Sequence, residues 1–268
     1  MFNLLCMDLR RLFKSRSFYA VLAITAVMLM LTTVMARSLS DPETLSAMAE
    51  QGAEVDESDR MMGEYLRSMP PLELMHEALG SGFLLVMTGI GMTLFVYGDF
   101  SSGFIKNICC IHPRRRDYVL SKIALAGVYS GITTAFSVLL MLLFPVLIRM
   151  YPAPGSPLEV LRYALRMWPP HWAFALMALT LVLLTRSSTL GIILSLVAGS
   201  GLTALLLGTL GRLLHLPPFE RWFLAVTVKG IYTPETGITS IGIILACAAV
   251  WAVIYGAGGL LSMEKRDI

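Results

Sequence analysis

Hydrophobic positions cluster in long uninterrupted blocks, and the stretches between and beyond them hold nearly all of the charge. Phe18–Ala36 and Ile123–Ile148 contain no Asp, Glu, Lys or Arg. A run of about 18 or more such residues is long enough to cross the apolar layer of a bilayer, where a helix satisfies its own backbone. Further blocks are Gly82–Tyr97, Trp168–Leu184, Leu190–Leu210 and Ile238–Leu261. The second is short for a span, and an earlier start near Leu74 would lengthen it. The pattern predicts an all-α integral membrane protein with six transmembrane helices, residues 18–268 forming one domain. Pro145 falls near the far end of the third block, Pro169 and Pro170 open the fourth, and residues 149–167 read as a loop.

Before the first block, Met1–Ser17 sets Leu5, Leu9, Leu12 and Phe13 on one helical face, with Arg10, Arg11 and Lys14 largely opposite. That periodicity predicts an amphipathic interfacial helix over residues 1–17, Arg10, Arg11 and Lys14 anchoring it to anionic headgroups. A plain basic flank of the first span is the alternative. The first block is too long for the apolar region of a signal peptide, so an uncleaved span is expected.

Composition agrees with the pattern: 56% of residues are hydrophobic and 15% charged, where a soluble domain carries about a quarter charged. The formal net charge of +3 is too slight to point to nucleic acid, and none is expected as a partner. Its distribution says more. Segments 1–17, 98–122, 185–189 and 262–268 are mostly short and together hold most of the Lys and Arg. The long stretch 37–79 instead holds Asp41, Glu43, Glu50, Glu54, Asp56, Glu57, Asp59, Glu64, Glu73 and Glu77 against Arg37, Arg60 and Arg67. The positive-inside rule then places both termini in the cytoplasm of a cell-membrane protein and makes 37–79 an acidic outer loop. Trp168, Trp172 and Trp222 near block ends read as interfacial anchors. Residues 212–237 are mixed in character and suggest a re-entrant or surface-lying segment.

Candidate chemistry is sparse. No GxxxxGK[ST] phosphate loop is present, so no ATPase of that kind is expected in this chain. Met75-His76-Glu77 begins like a zinc-protease helix but lacks its second histidine, and His76, His112, His171 and His215 are scattered. Gly199-Ser200-Gly201 lacks the frame of a nucleophile elbow. Neither an enzyme nor a metal site is expected. The middles of the six blocks carry no ionisable residue, which argues for an energy source outside this polypeptide.

The loop 98–122 is the most patterned polar segment. Gly98 can end the second span, and Asp99 or Ser101 can cap a short helix that Pro113 would break. Arg114, Arg115 and Arg116 would then sit at headgroup level, Arg114 and Arg115 as membrane anchors. Here the sequence resembles the permease subunits of ABC-2 type exporters. The matching positions are Asp99, Ser102, Gly103, Ile105, Lys106, Asn107, Arg116, Ser121 and Lys122. Asp99 stands where many relatives carry glutamate.

The resemblance implies a cytoplasmic coupling helix between the second and third spans, seated in a groove of a separate ABC ATP-binding subunit that holds ATP and Mg. It implies that Phe104 and Ile105 are apolar contacts there, and that Asp99, Phe100, Ser102, Gly103, Lys106, Asn107 and Arg116 belong to the same coupling surface. It also implies a second permease copy, in a homodimer or heterodimer, and export of a peptide, lipid or small amphiphile. The alternative is a ligand-sensing or immunity subunit that relays occupancy to the ATPase without moving substrate.

Overall fold

The computed structural model describes residues 2–51, 55–111, 115–148, 156–215, 219–233 and 237–265, and nearly all of these are helical. Helix α1 (Phe2–Lys14) is followed by α2 (Arg16–Ser40), which runs unbroken through the first apolar block. The acidic stretch is helical too, as α3 (Pro42–Glu50), α4 (Glu57–Ser68) and α5 (Pro71–Gly80). Local chemistry sets these boundaries. Asp41 ends α2 and caps α3, its carboxylate accepting from Glu43 N at 3.3 Å and Thr44 Oγ1 at 2.7 Å, with Pro42 in the first turn. Asp56 and Asp59 form a reciprocal box at the start of α4.

Helix α6 (Phe83–Ser101) is the second apolar block, separated from α5 at Gly82. Gly82 has φ +91°, and a Cβ there would collide with the Gly199 carbonyl, so the span cannot continue back to Leu74 as one rod. The short α7 (Phe104–Ile111) leads to α8 (Arg115–Leu147), which starts eight residues before the expected third block. Much of the expected loop 98–122 is therefore helix.

A larger correction concerns α9 (Pro157–Thr185), which covers the second half of the loop expected at 149–167 and passes through Pro169 and Pro170. Ser156 and Glu159 cap its start reciprocally, with Pro157 at the first position. Within a helical membrane bundle, neighbouring groups re-satisfy the backbone that a proline frees. At Arg186 (φ 53°) the chain reverses into α10 (Ser188–Gly199), then bends by 59° at Ser200-Gly201 into α11 (Leu202–Leu213). The expected fifth span is thus a broken pair. A 3-10 turn (Phe219–Trp222), α12 (Leu224–Lys229), a two-residue antiparallel pair β1 (Tyr232–Thr233) and β2 (Gly237–Ile238), and α13 (Ile241–Lys265) complete the described chain.

Five helices (α2, α6, α8, α9 and α13) are long and apolar enough to cross a membrane, and the α10–α11 pair makes six if it is one span. The chain is therefore a multi-pass α-helical membrane protein. Burial is inverted relative to a soluble protein: α9 sits centrally, with 72% of its apolar window buried, whereas α13 (22%) and α2 (28%) turn most of theirs outward. Two apolar clusters fill the interior. One joins α1, the ends of α6 and α9 and the start of α8; the other joins α5, α12, the start of α9 and the far end of α8.

Close approach depends on small residues at the crossings. Tyr129 Oη lies so near Gly91 that any side chain there would overlap it. Trp168 and Trp172, expected as interfacial anchors, tie two helices together instead. Their rings stack at 6.0 Å, and their Nε1–H groups donate to the Gly127 and Ile123 carbonyls of α8 at 2.9 and 3.1 Å.

Candidate functional site: a buried charge cluster at one end of the bundle

The inward face of α1 reads Leu4, Asp8, Leu12, one residue every four, which places a carboxylate within an apolar stripe. The periodicity of the sequence puts the apolar face at Leu5, Leu9, Leu12 and Phe13. The helix is rotated from that, leaving Phe13 half exposed and bringing Arg11 partly inward. Asp8 and Arg11 lie one turn apart and face Asp99 near the end of α6 and Tyr118, Ser121 and Lys122 in the first turns of α8. Lys122 Nζ is 2.7 Å from Asp8 Oδ1 and 2.7 Å from Asp99 Oδ2. Arg11 reaches Asp99 Oδ1 at 2.7 Å and Asp8 Oδ1 at 3.8 Å. Tyr118 Oη–H donates to Asp99 Oδ2 at 2.8 Å, and Ser121 Oγ–H to Asp8 Oδ2 at 3.3 Å.

The Lys122 and Asp99 side chains are 0% exposed and that of Asp8 is 2%. Burying single charges this deeply would be prohibitive; two carboxylates against two cations with added hydrogen bonds satisfy one another. The ring faces of Phe95 and Tyr118 lie 4.8 and 5.2 Å from Lys122 Nζ, and the Arg11 guanidinium stands 3.7 Å above the Phe104 ring, adding cation–π attraction. Chemically the arrangement is an ion-pair lock. It joins α1, α6 and α8 at one end of the bundle and reaches α7 through Phe104.

The other expected coupling residues lie around this lock. Phe100 is half-buried, and Ser102 is exposed, its hydroxyl donating to the Gly98 carbonyl at 2.6 Å. Gly103 has φ +68°, and its carbonyl accepts from Lys106 N and Asn107 N at 3.1 and 3.4 Å. Gly103 is therefore the residue at which α7 begins, in place of Asp99 or Ser101, because its missing Cβ admits the left-handed turn. Lys106 and Asn107 point outward, whereas Ile105 (2% exposed) is packed into the chain's own core and Phe104 lies under Arg11. The apolar contacts expected to face a partner are thus turned inward.

Arg116 is exposed in the first turn of α8, and Arg10 and Lys14 are exposed on α1, but Arg11, expected as a headgroup anchor, serves the lock. Arg115 begins α8, and Arg114 lies outside the described residues. Asp8 was missed altogether. Its signal was readable, a lone acid at the centre of the Leu4–Leu12 stripe, and so was that of Lys122 at the mouth of an apolar block.

At the opposite end, His76 on α5 bonds α9 and α12. Its Nε2–H donates to the Lys229 carbonyl at 2.9 Å, which leaves Nδ1 to accept from Tyr163 Oη–H at 3.0 Å. Burial lowers its pKa below the ordinary value of 6.5, against smaller raising effects of the Lys229 carbonyl, Glu77 and Glu73. Among the described residues, no group of three or more His, Cys, Asp or Glu is placed to hold a metal ion.

Fold and site together define a multi-pass helical membrane protein whose basic end is closed by a buried four-charge lock. No family model matches the chain, and no curated protein sequence matches it significantly.

Proposed function

We propose that the chain is the permease subunit of an ABC-2 type exporter. It would move a peptide, lipid or small amphiphile out of the cell with energy from a separate ATP-binding subunit that carries ATP and Mg. The observation that supports this reading is the placement of α7. It is a short amphipathic helix on a left-handed glycine, with Lys106 and Asn107 outward and its apolar side held against the lock. In this reading both termini and α7 are cytoplasmic, α1 is the interfacial helix, α7 is the coupling helix, and a second permease copy completes the pathway. Lys106, Asn107 and Ser102 meet the ATP-binding subunit. Force on α7 passes through Phe104 and Arg11 to Asp99 and Lys122, so that α1, α6 and α8 move as one body.

The test is capture and coupling. Lys106→Cys, carrying a short crosslinker in native membranes, should trap a protein with a Walker A loop. The purified complex should hydrolyse ATP, and Lys106→Glu should abolish copurification while the membrane level of the chain stays unchanged. Purification from native membranes without any ATP-binding subunit, together with no crosslink at residue 106, would overturn the reading.

A further inference from the structure

Where α10 breaks into α11, a groove of about 600 Å³ opens between α11, the 3-10 turn and α12. This is the end of the bundle opposite the charge lock, since Gly199 abuts Gly82 and the Lys229 carbonyl bonds His76. The walls have two characters. Leu202, Ala204 and Leu205 line an apolar side, and Arg212, Glu220 and Lys229 supply charge. Arg212 meets Glu220 at only 3.9 Å and is 83% exposed, and Lys229 forms no ion pair among the described residues. The Lys229 ammonium instead reaches the Gly201 break. On the far side of α11, Leu206, Leu210 and Leu213 are exposed, as a helix bathed in lipid would show. The groove therefore runs along a helix whose outer face is apolar and exposed, and it carries an excess of positive charge.

We propose that this groove binds one phospholipid with an anionic headgroup, its phosphate at Lys229 beside the Gly201 break and its acyl chain along Leu202, Ala204 and Leu205, while Arg212, about three turns further along α11, adds positive field. The volume suits a bound small molecule, and a cavity that is apolar along one side and cationic along another selects an amphiphile over a simple ion. Juxtamembrane cations attract anionic headgroups strongly enough that each contributes about a fivefold preference. The site does not depend on the transport reading, because it would retain lipid whether or not the chain moves substrate.

The experiment is native mass spectrometry of the full chain, released from detergent after equilibration with phosphatidylglycerol or phosphatidylcholine. One phosphatidylglycerol should be retained per chain in preference to phosphatidylcholine. Lys229→Gln should reduce that preference about fivefold, and the more distant Arg212→Gln should reduce it by less. Thr209→Trp, an exposed lining position, should fill the groove and displace both lipids without altering helical content. Equal retention of the two lipids, unchanged in all three variants, would overturn the proposal. So would loss of the lipid to millimolar inorganic phosphate, which would identify a bare anion site.

Discussion

Replacing Lys122 by methionine removes the cation on which the charge lock converges while nearly keeping side-chain length. The ammonium stands 2.7 Å from each of two carboxylates and is fully buried. At an effective dielectric constant of about 20, each contact carries roughly 6 kcal/mol of attraction, most of it offset by the desolvation of both partners. In Lys122→Met that desolvation remains for Asp8 and Asp99, with only Arg11 to answer both. Breaking a buried pair in this way costs about 3–5 kcal/mol. In a chain of this size that corresponds to a fall in Tm of roughly 6–20 °C.

Thermal unfolding of the purified chain in detergent at a fixed heating rate reads the loss. A second variant makes the measurement specific. Lys122→Met combined with Asp99→Asn restores charge balance, leaving Asp8 with Arg11, and should melt above Lys122→Met alone, with a coupling of about 1–3 kcal/mol. If Lys122→Met melts within about 2 °C of the parent, or the double variant loses the sum of both singles, the four charges do not act as a lock.

Two further outcomes follow from the packing and the titration. Gly91→Ala should destabilise by about 1–3 kcal/mol through overlap with Tyr129 Oη. Tyr129→Phe should be neutral or stabilising, because that hydroxyl has no hydrogen-bond partner among the described residues, and should rescue Gly91→Ala in part, since the ring Cζ still stands 2.9 Å from the added methyl; no rescue at all in melting experiments would contradict the contact. For His76, whose folded pKa lies below 6.5, the stabilisation of the neutral ring is complete above that value and is lost as pH falls through the folded pKa. Protonation also obliges the buried Tyr163 hydroxyl to give up its donation to Nδ1, while Glu73 and Glu77 ease the added charge. Melting of the parent should therefore decline between neutral and mildly acidic pH, and His76→Gln should flatten that part of the profile. An unchanged slope in the variant would remove His76 as the cause.

The division between what sequence and tertiary structure decide is visible in particular residues. Long charge-free blocks announce the membrane helices because hydrocarbon tolerates neither unpaired backbone nor unpaired charge, and this holds whatever the neighbours are. The start of α3 at Asp41-Pro42 and of α9 at Ser156-Pro157 is equally local, since a cap and a proline act within one turn. The passage of α9 through Pro169 and Pro170, the rotation of α1 that buries Asp8, and the break of the fifth block at Gly201 are not local. Each depends on a partner surface distant in the chain: the core around α9, the cation of Lys122, and the segment from Glu220 to Lys229. The same holds for Lys122 itself, which reads as a loop-end cation until α1 and α6 supply two carboxylates. Hydrophobicity and capping act through nearest neighbours and solvent, so the sequence alone locates the apolar blocks and the capped helix starts, but not how far each helix runs or where it breaks. A buried charge is stable only where several helices bring its counter-charges within about 3 Å, so the lock exists only in the assembled bundle.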